Sequence, residues 1–152
     1  MIRTAFALLL MTALSTFAAT AKTVTRCGAS DGYSYYLPGR ASKEAVLGWN
    51  PDKISKGQFE LIVDGDAADI ITADAVGTRS SKADGASVLV INGDTKGTFL
   101  VLLAYSTGTF EHFLFSLKPN GAGEVVWGTA RAQGAFPKSS LMRAACKSPG
   151  AR

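Results

Sequence analysis

The clearest pattern in the chain is alternation of apolar and polar positions with period two. From Gln58 to Asp64, Phe59, Leu61 and Val63 fall on one face, with Gln58, Glu60 and Asp64 on the other. This is the signature of a half-buried strand. Asp64-Gly65-Asp66 then reads as a hairpin turn, and Ala68 to Asp74 as the returning strand. Val76 to Gly85 is small and polar and reads as a loop. Ser87 to Ile91 is a short apolar strand ending at Asn92-Gly93-Asp94. Thr98 to Tyr105 is apolar on both alternating faces, which predicts a central strand covered on both sides. Turns at 106–108 and 119–123 delimit strands over Thr109 to Leu117 and Glu124 to Thr129. A looser loop through Pro137 leads to a last strand, Ser139 to Cys146. Gly32 to Gly39, with three tyrosines, adds an eighth short strand. Only Ser42 to Leu47, with Ser42 as cap and Gly48 as stop, reads as a turn of helix. The expectation is therefore an all-β chain with minor α content. It is an antiparallel meander of seven to eight strands, closing as a small barrel or folding into a sandwich.

The N-terminus departs from this pattern. Arg3 precedes an apolar run to Phe17, and Ala19-Thr20-Ala21 is a small-x-small cleavage pattern. Residues 1–21 read as a secretory signal peptide and residues 22–152 as a single β-rich domain. The apolar run is shorter than the about 20 residues a spanning helix needs. After Ala21 no segment is apolar and long enough to span a bilayer as a helix. With 152 residues, the chain is too short for a barrel of eight βα units or for paired cofactor and substrate domains. Its 47% apolar and 18% charged residues argue against disorder. Two cysteines, Cys27 and Cys146, lie near the ends of the exported portion, and an exported chain usually pairs them. That disulfide would join the N- and C-terminal strands. The net charge of +4 is modest, and its Lys and Arg, among them Lys138, Arg143, Lys147 and Arg152, are scattered. No basic stripe interleaves with aromatics, so no nucleic-acid partner is expected.

Candidate chemistry is sparse. Gly28-Ala29-Ser30-Asp31-Gly32 matches the G-x-S-x-G elbow of serine hydrolases. No apolar strand precedes it, no helix follows, and the single His112 falls inside a strand, so a glycine turn beside the disulfide is the preferred reading. Glu111 shares a face with Phe113 and Phe115, where a carboxylate is costly unless paired. Arg131 and Lys138 are its candidate partners, and a carboxyl with a raised pKa is the functional alternative. Neighbouring strand residues face opposite ways, so Glu111 and His112 cannot form one acid/base pair without a bulge. Asp64, Asp66 and Asp69 suggest calcium, but the twelfth position of an EF-hand count is Ala75 rather than Glu. Two cysteines and one histidine make a poor zinc site. No metal and no cofactor is expected.

Cys27-Gly28-Ala29-Ser30-Asp31-Gly32, followed by Tyr35-Tyr36 and closed by Cys146, resembles a family of small exported bacterial proteins of uncharacterised activity. Trp49, Ser55, Gly57 and Glu111 extend the likeness. The resemblance implies an exported β-rich fold and carries no activity. The functional expectation is a periplasmic or secreted monomer that binds a small ligand or an envelope protein. The alternative is a small hydrolase using Ser30, or Glu111 with His112. Tyr35, Trp49, Glu111 and His112 are the candidate contacts. Tyr33, Tyr36, Phe99, Tyr105, Phe110 and Trp127 are further aromatic candidates for lining a pocket.

Overall fold

A computed structural model describes residues 22–41, 43–64 and 67–149. The signal-peptide reading, the Ser42 cap, the Gly65-Asp66 turn and Arg152 lie outside these residues. Among the described residues there are ten strands and one short helical turn: β1 (Lys22–Tyr36), β2 (Gly48–Ile54), β3 (Gln58–Asp64), β4 (Ala67–Asp74), β5 (Gly77–Ser80), β6 (Ser87–Asn92), β7 (Thr98–Ala104), β8 (Thr109–Leu117), β9 (Ala122–Arg131) and β10 (Lys138–Lys147). Every pairing is antiparallel. The order across the sheet is β5-β4-β3-β1-β10-β9-β8-β7-β6, and β2 also pairs β1. The meander curls into a half-barrel whose concave face carries the core.

The curl follows from chain length. β5 and β6 are opposite edges of the nine-strand path, yet only residues 81–86 connect them. Laid flat, nine strands would set the edges roughly 38 Å apart, while that connection reaches at most about 24 Å. The connection is not even stretched. Asp84, Gly85 and Ala86 N–H donate to the carbonyls of Ser80, Lys82 and Ser81 at 2.9 Å each. The sheet has to bend until its edges approach, and β4 and β6 come into contact. Asp69 fixes this turn to β4: its carboxylate accepts from Ser80 Oγ at 2.6 Å and Lys82 N at 3.1 Å.

β1 organises the other half. From Arg26 to Tyr36 it runs beside β10, while its opposite edge is used by β3 over Lys22–Cys27 and by β2 over Ser30–Tyr36. Cys27 faces the core, so strict alternation would turn Ser30 outward. The register instead shifts between Cys27 and Ser30. This bulge brings Ser30, Gly32 and Ser34 to the concave side and leaves Asp31, Tyr33 and Tyr35 outside. The glycine turn expected at 28–32 is therefore strand with a bulge, because β10 and β2 supply partners on both edges. Cys27 and Cys146 are directly opposite in the ladder and are bonded, with Cα atoms 4.0 Å apart.

Further expectations are corrected. Val76 to Gly85 is not all loop: β5 forms there, ordered by β4. β2 was not foreseen; it carries Pro51 and little apolar alternation, and forms against β1. Those two strands raise the count to ten. The helical stretch shrinks to a 3₁₀ turn, Glu44–Val46, with no side-chain cap at Lys43. β7 is not central; it lies beside the edge strand β6, and the concave side buries Val101 and Leu103 while Leu100 and Leu102 stay half-buried on the convex side.

A polar clamp holds β1, β2 and β10 together. Fully buried Ser34 donates to Asp52 Oδ2 at 2.6 Å, and Lys138 Nζ reaches the same oxygen at 3.2 Å. Burial alone would push the Asp52 carboxyl up, but Ser34 and then Lys138 outweigh it and leave its pKa lowered.

Two stability predictions follow from this packing. Replacing both Cys27 and Cys146 by Ala should lower the unfolding free energy by about 5 kcal/mol, the chain-entropy value for a loop of this separation. Urea denaturation of oxidised wild type and the double variant reads it; coincident curves would contradict the account. Thr25 is fully buried, and its Oγ1 has no hydrogen-bond partner among the described residues. Thr25→Val should therefore stabilise by about 1 kcal/mol, and a lower denaturation midpoint would refute this.

Candidate functional site

The curl leaves a cleft of about 320 Å³ on the concave side, between the β3–β5 wing and the β7–β9 wing. Its apolar wall is aromatic. Phe113 and Trp127, opposite one another on β8 and β9, stack with centroids 5.7 Å apart and planes 8° apart. Phe59 from β3 packs edge-on against both, at 5.4 and 5.8 Å. Trp127 is fixed at its polar end, since Nε1 donates to Ser30 Oγ at 3.1 Å. That bond depends on the β1 bulge, which turns Ser30 inward.

The polar wall combines Tyr105 just after β7, β8 and the 81–86 turn. Glu111 follows the inward alternation of Phe113 and Phe115 and lines the cleft. Tyr105 Oη donates to Glu111 Oε2 at 3.3 Å and also lies within hydrogen-bonding reach of buried Ser81. Burial pushes the Glu111 carboxyl above its ordinary value of 4.5; the Tyr105 bond and the Arg79 charge oppose this without cancelling it. Burial likewise raises Tyr105, reinforced by the nearby carboxylates of Glu111 and Asp84. Arg79 on β5 is bound to Asp74 Oδ2 at 3.0 Å, and both line the cleft with Asp84. The expected partners of Glu111 are engaged elsewhere: Arg131 donates to the Phe136 carbonyl, and Lys138 belongs to the Asp52 clamp.

The sequence candidates divide between the two faces. Glu111, Ser30, Tyr105 and Trp127 meet in the cleft. His112 faces the convex side, where it lies over Gly128. A Cβ there would be 2.6 Å from the imidazole Cε1 and would strike the Ser140 carbonyl. Ser30 and His112 are thus on opposite faces, and Ser30 is buried beneath Trp127, so no Ser–His pair forms. Tyr35 and Trp49 are neighbours on the convex face, edge-on at 5.3 Å, with Trp49 68% exposed. Phe99 stacks on Phe115 in the core, Phe110 faces outward, and Tyr36 lines a separate shallow groove with Lys138. Among the described residues no group of three His, Cys, Asp or Glu is placed to hold a metal ion. Asp69, from the calcium-like acidic run, is taken up by the turn.

Sequence reasoning missed Arg79, Ser81 and Asp84 because they lie in the segment read as loop. The alternation across Gly77–Ser80 covers only four residues, too few to stand out. Neither a family model, a curated protein nor a solved structure matches the chain.

Glu111 gives a pH test. Its native pKa is raised, so the fold favours the protonated carboxyl. Stability from this group is fully present below about pH 4.5 and is lost as pH rises through the elevated native value. Glu111→Gln stays neutral, so it should be more stable than wild type at pH 7, and the difference should vanish by pH 4. Thermal unfolding at both pH values tests this; a Gln variant less stable at pH 7 would refute it.

Proposed function

We propose that this disulfide-bonded half-barrel is an exported binding module whose cleft takes a small ligand. The observation that carries the reading is the cleft itself: an aromatic wall adjoins a half-buried carboxyl–tyrosine pair, within about 320 Å³. Ligand sites combine mostly apolar linings with a few converging polar groups, and this volume is at the small end of their range. An ionisable group held in such surroundings is costly to the fold, as expected of a site retained for binding rather than packing. Export is supported by the Cys27–Cys146 bond, which belongs to an oxidising compartment, and by the signal-like composition of residues 1–21. The resemblance to small exported bacterial proteins agrees with a periplasmic or extracellular address.

A second reading, protein contact, draws on the convex face. Trp49 and Tyr35 pack beside Tyr33, 57% exposed, and Leu141, 52% exposed. Contiguous exposed apolar and aromatic surface is characteristic of protein interfaces.

Mass spectrometry of the protein exported from a bacterial host separates these readings. The denatured mass should match residues 22–152 less two hydrogens. The native mass should carry a small adduct that disappears on denaturation and in Thr72→Phe, which fills the cleft. A protein-sized adduct lost in Trp49→Ala would favour the convex face instead. A bare native mass, or an adduct indifferent to Thr72→Phe, would sink the cleft reading; retention of residues 1–21 would sink export.

A further inference from the structure

We propose that the cleft selects small organic cations with a flat apolar body, an inference that rests on the cleft being a ligand site. The first observation is charge. The whole chain carries a net charge of +4, yet the ionisable carboxyls lining the cleft are Asp74, Asp84 and Glu111 against the single guanidinium of Arg79. The site therefore has the opposite sign to the molecule around it. Among the described residues the one cation lining the cleft is already engaged, because Arg79 is held by Asp74 at 3.0 Å. An anionic ligand would have to break that pair and approach Glu111 and Asp84 unscreened.

The second observation is the placement of the deep acceptor. Glu111 projects from β8 two residues from Phe113, on the same face, so carboxyl and aromatic wall are adjacent. Among the described residues its only hydrogen-bond donor is Tyr105, at 3.3 Å. An ionised carboxylate offers about four acceptor positions, so an ammonium can donate to it without displacing Tyr105. Trp127, partly exposed in the cleft and stacked on buried Phe113, offers the aromatic surface beside Glu111, which attracts a cation and accommodates a planar hydrocarbon. A neutral polyol would gain the hydrogen bonds but not the charge, and an alkyl chain would gain the wall but leave Glu111 without a counter-charge.

The test uses a matched series with one phenyl body: 2-phenylethylamine, 2-phenylethanol and phenylacetate. The chain has two tryptophans. Trp49→Phe therefore leaves Trp127, which lines the cleft, as the only tryptophan, read by selective excitation away from the tyrosine band. Phenylethylamine should perturb Trp127 fluorescence saturably and bind at least about tenfold tighter than phenylethanol, the scale of one charge-assisted hydrogen bond. Phenylacetate should be weakest. Glu111→Gln in the same background should erase the preference for the amine and leave phenylethanol unchanged; Asp84→Asn, on the rim, should reduce it less. Unfolding curves confirm that each variant is folded. Equal or tighter binding of the alcohol or the acid overturns the cation assignment and leaves the cleft reading intact. Silence from all three also overturns it, while the native mass of the exported protein separately decides whether the cleft holds a ligand.

Discussion

The constraint on which the rest of the structure depends is the short connection between the two sheet edges. With only residues 81–86 between β5 and β6, a path of nine strands cannot lie flat. The curl gathers the inward faces of both wings into one core, where Phe59, Leu61 and Ile70 from one side meet Val101, Leu103, Phe113 and Phe115 from the other. It also explains why the concave side is not completely filled. The turn hydrogen bonds set how closely the edges approach, and Ser81 and Asp84 on that turn become lining residues of the gap that remains. One length restriction thus produces both the core and the cleft.

The disulfide acts on the other end of the same problem. A curled sheet opens most easily where first and last strands meet, because their pairing is the most distant in sequence. β1 and β10 are that pair, and Cys27–Cys146 bonds them directly opposite one another. The Ser34–Asp52–Lys138 clamp secures the far end of β1, where the disulfide has no purchase. Between these two fixed points lies the bulge that turns Ser30 inward to hold Trp127. The orientation of the aromatic wall therefore depends on contacts made at both ends of β1.

The residues show unequally in the sequence what they do in the fold. β3, β4 and β6–β10 were legible because alternation and turn residues encode a meander locally. Glu111 was legible as an anomaly, a carboxyl on an apolar face. β2 and β5 were not, because Pro51 and the polar run Gly77–Ser80 form strands only when a partner edge is present. The nature of β7 was misread for a related reason. Hydrophobicity on both faces suggests coverage on both sides, but here the second face is only half-buried on an exposed convex surface. Arg79, Ser81 and Asp84 were invisible because their role arises from which wing the connection spans, and a sequence pattern records spacing along the chain rather than distance across a cleft.

Glu111 is also the lining residue of the cleft that packing alone explains least. Nothing in the ladder requires an acid there: its neighbours across the sheet are Leu103 and Thr129, and either residue type would fit the pairing. The carboxyl gains one long hydrogen bond from Tyr105 and loses part of its hydration, which is why its pKa rises. A partner from the sheet itself was within reach of the topology, since Arg131 lies on the adjacent strand β9 and Lys138 on β10 beyond it, yet both are committed to other acceptors. The fold thus leaves a half-buried acid beside an aromatic wall, with the cation that acts on it, Arg79, already paired with Asp74. A cationic guest would convert that cost into binding free energy, through an interaction the folded protein alone does not make.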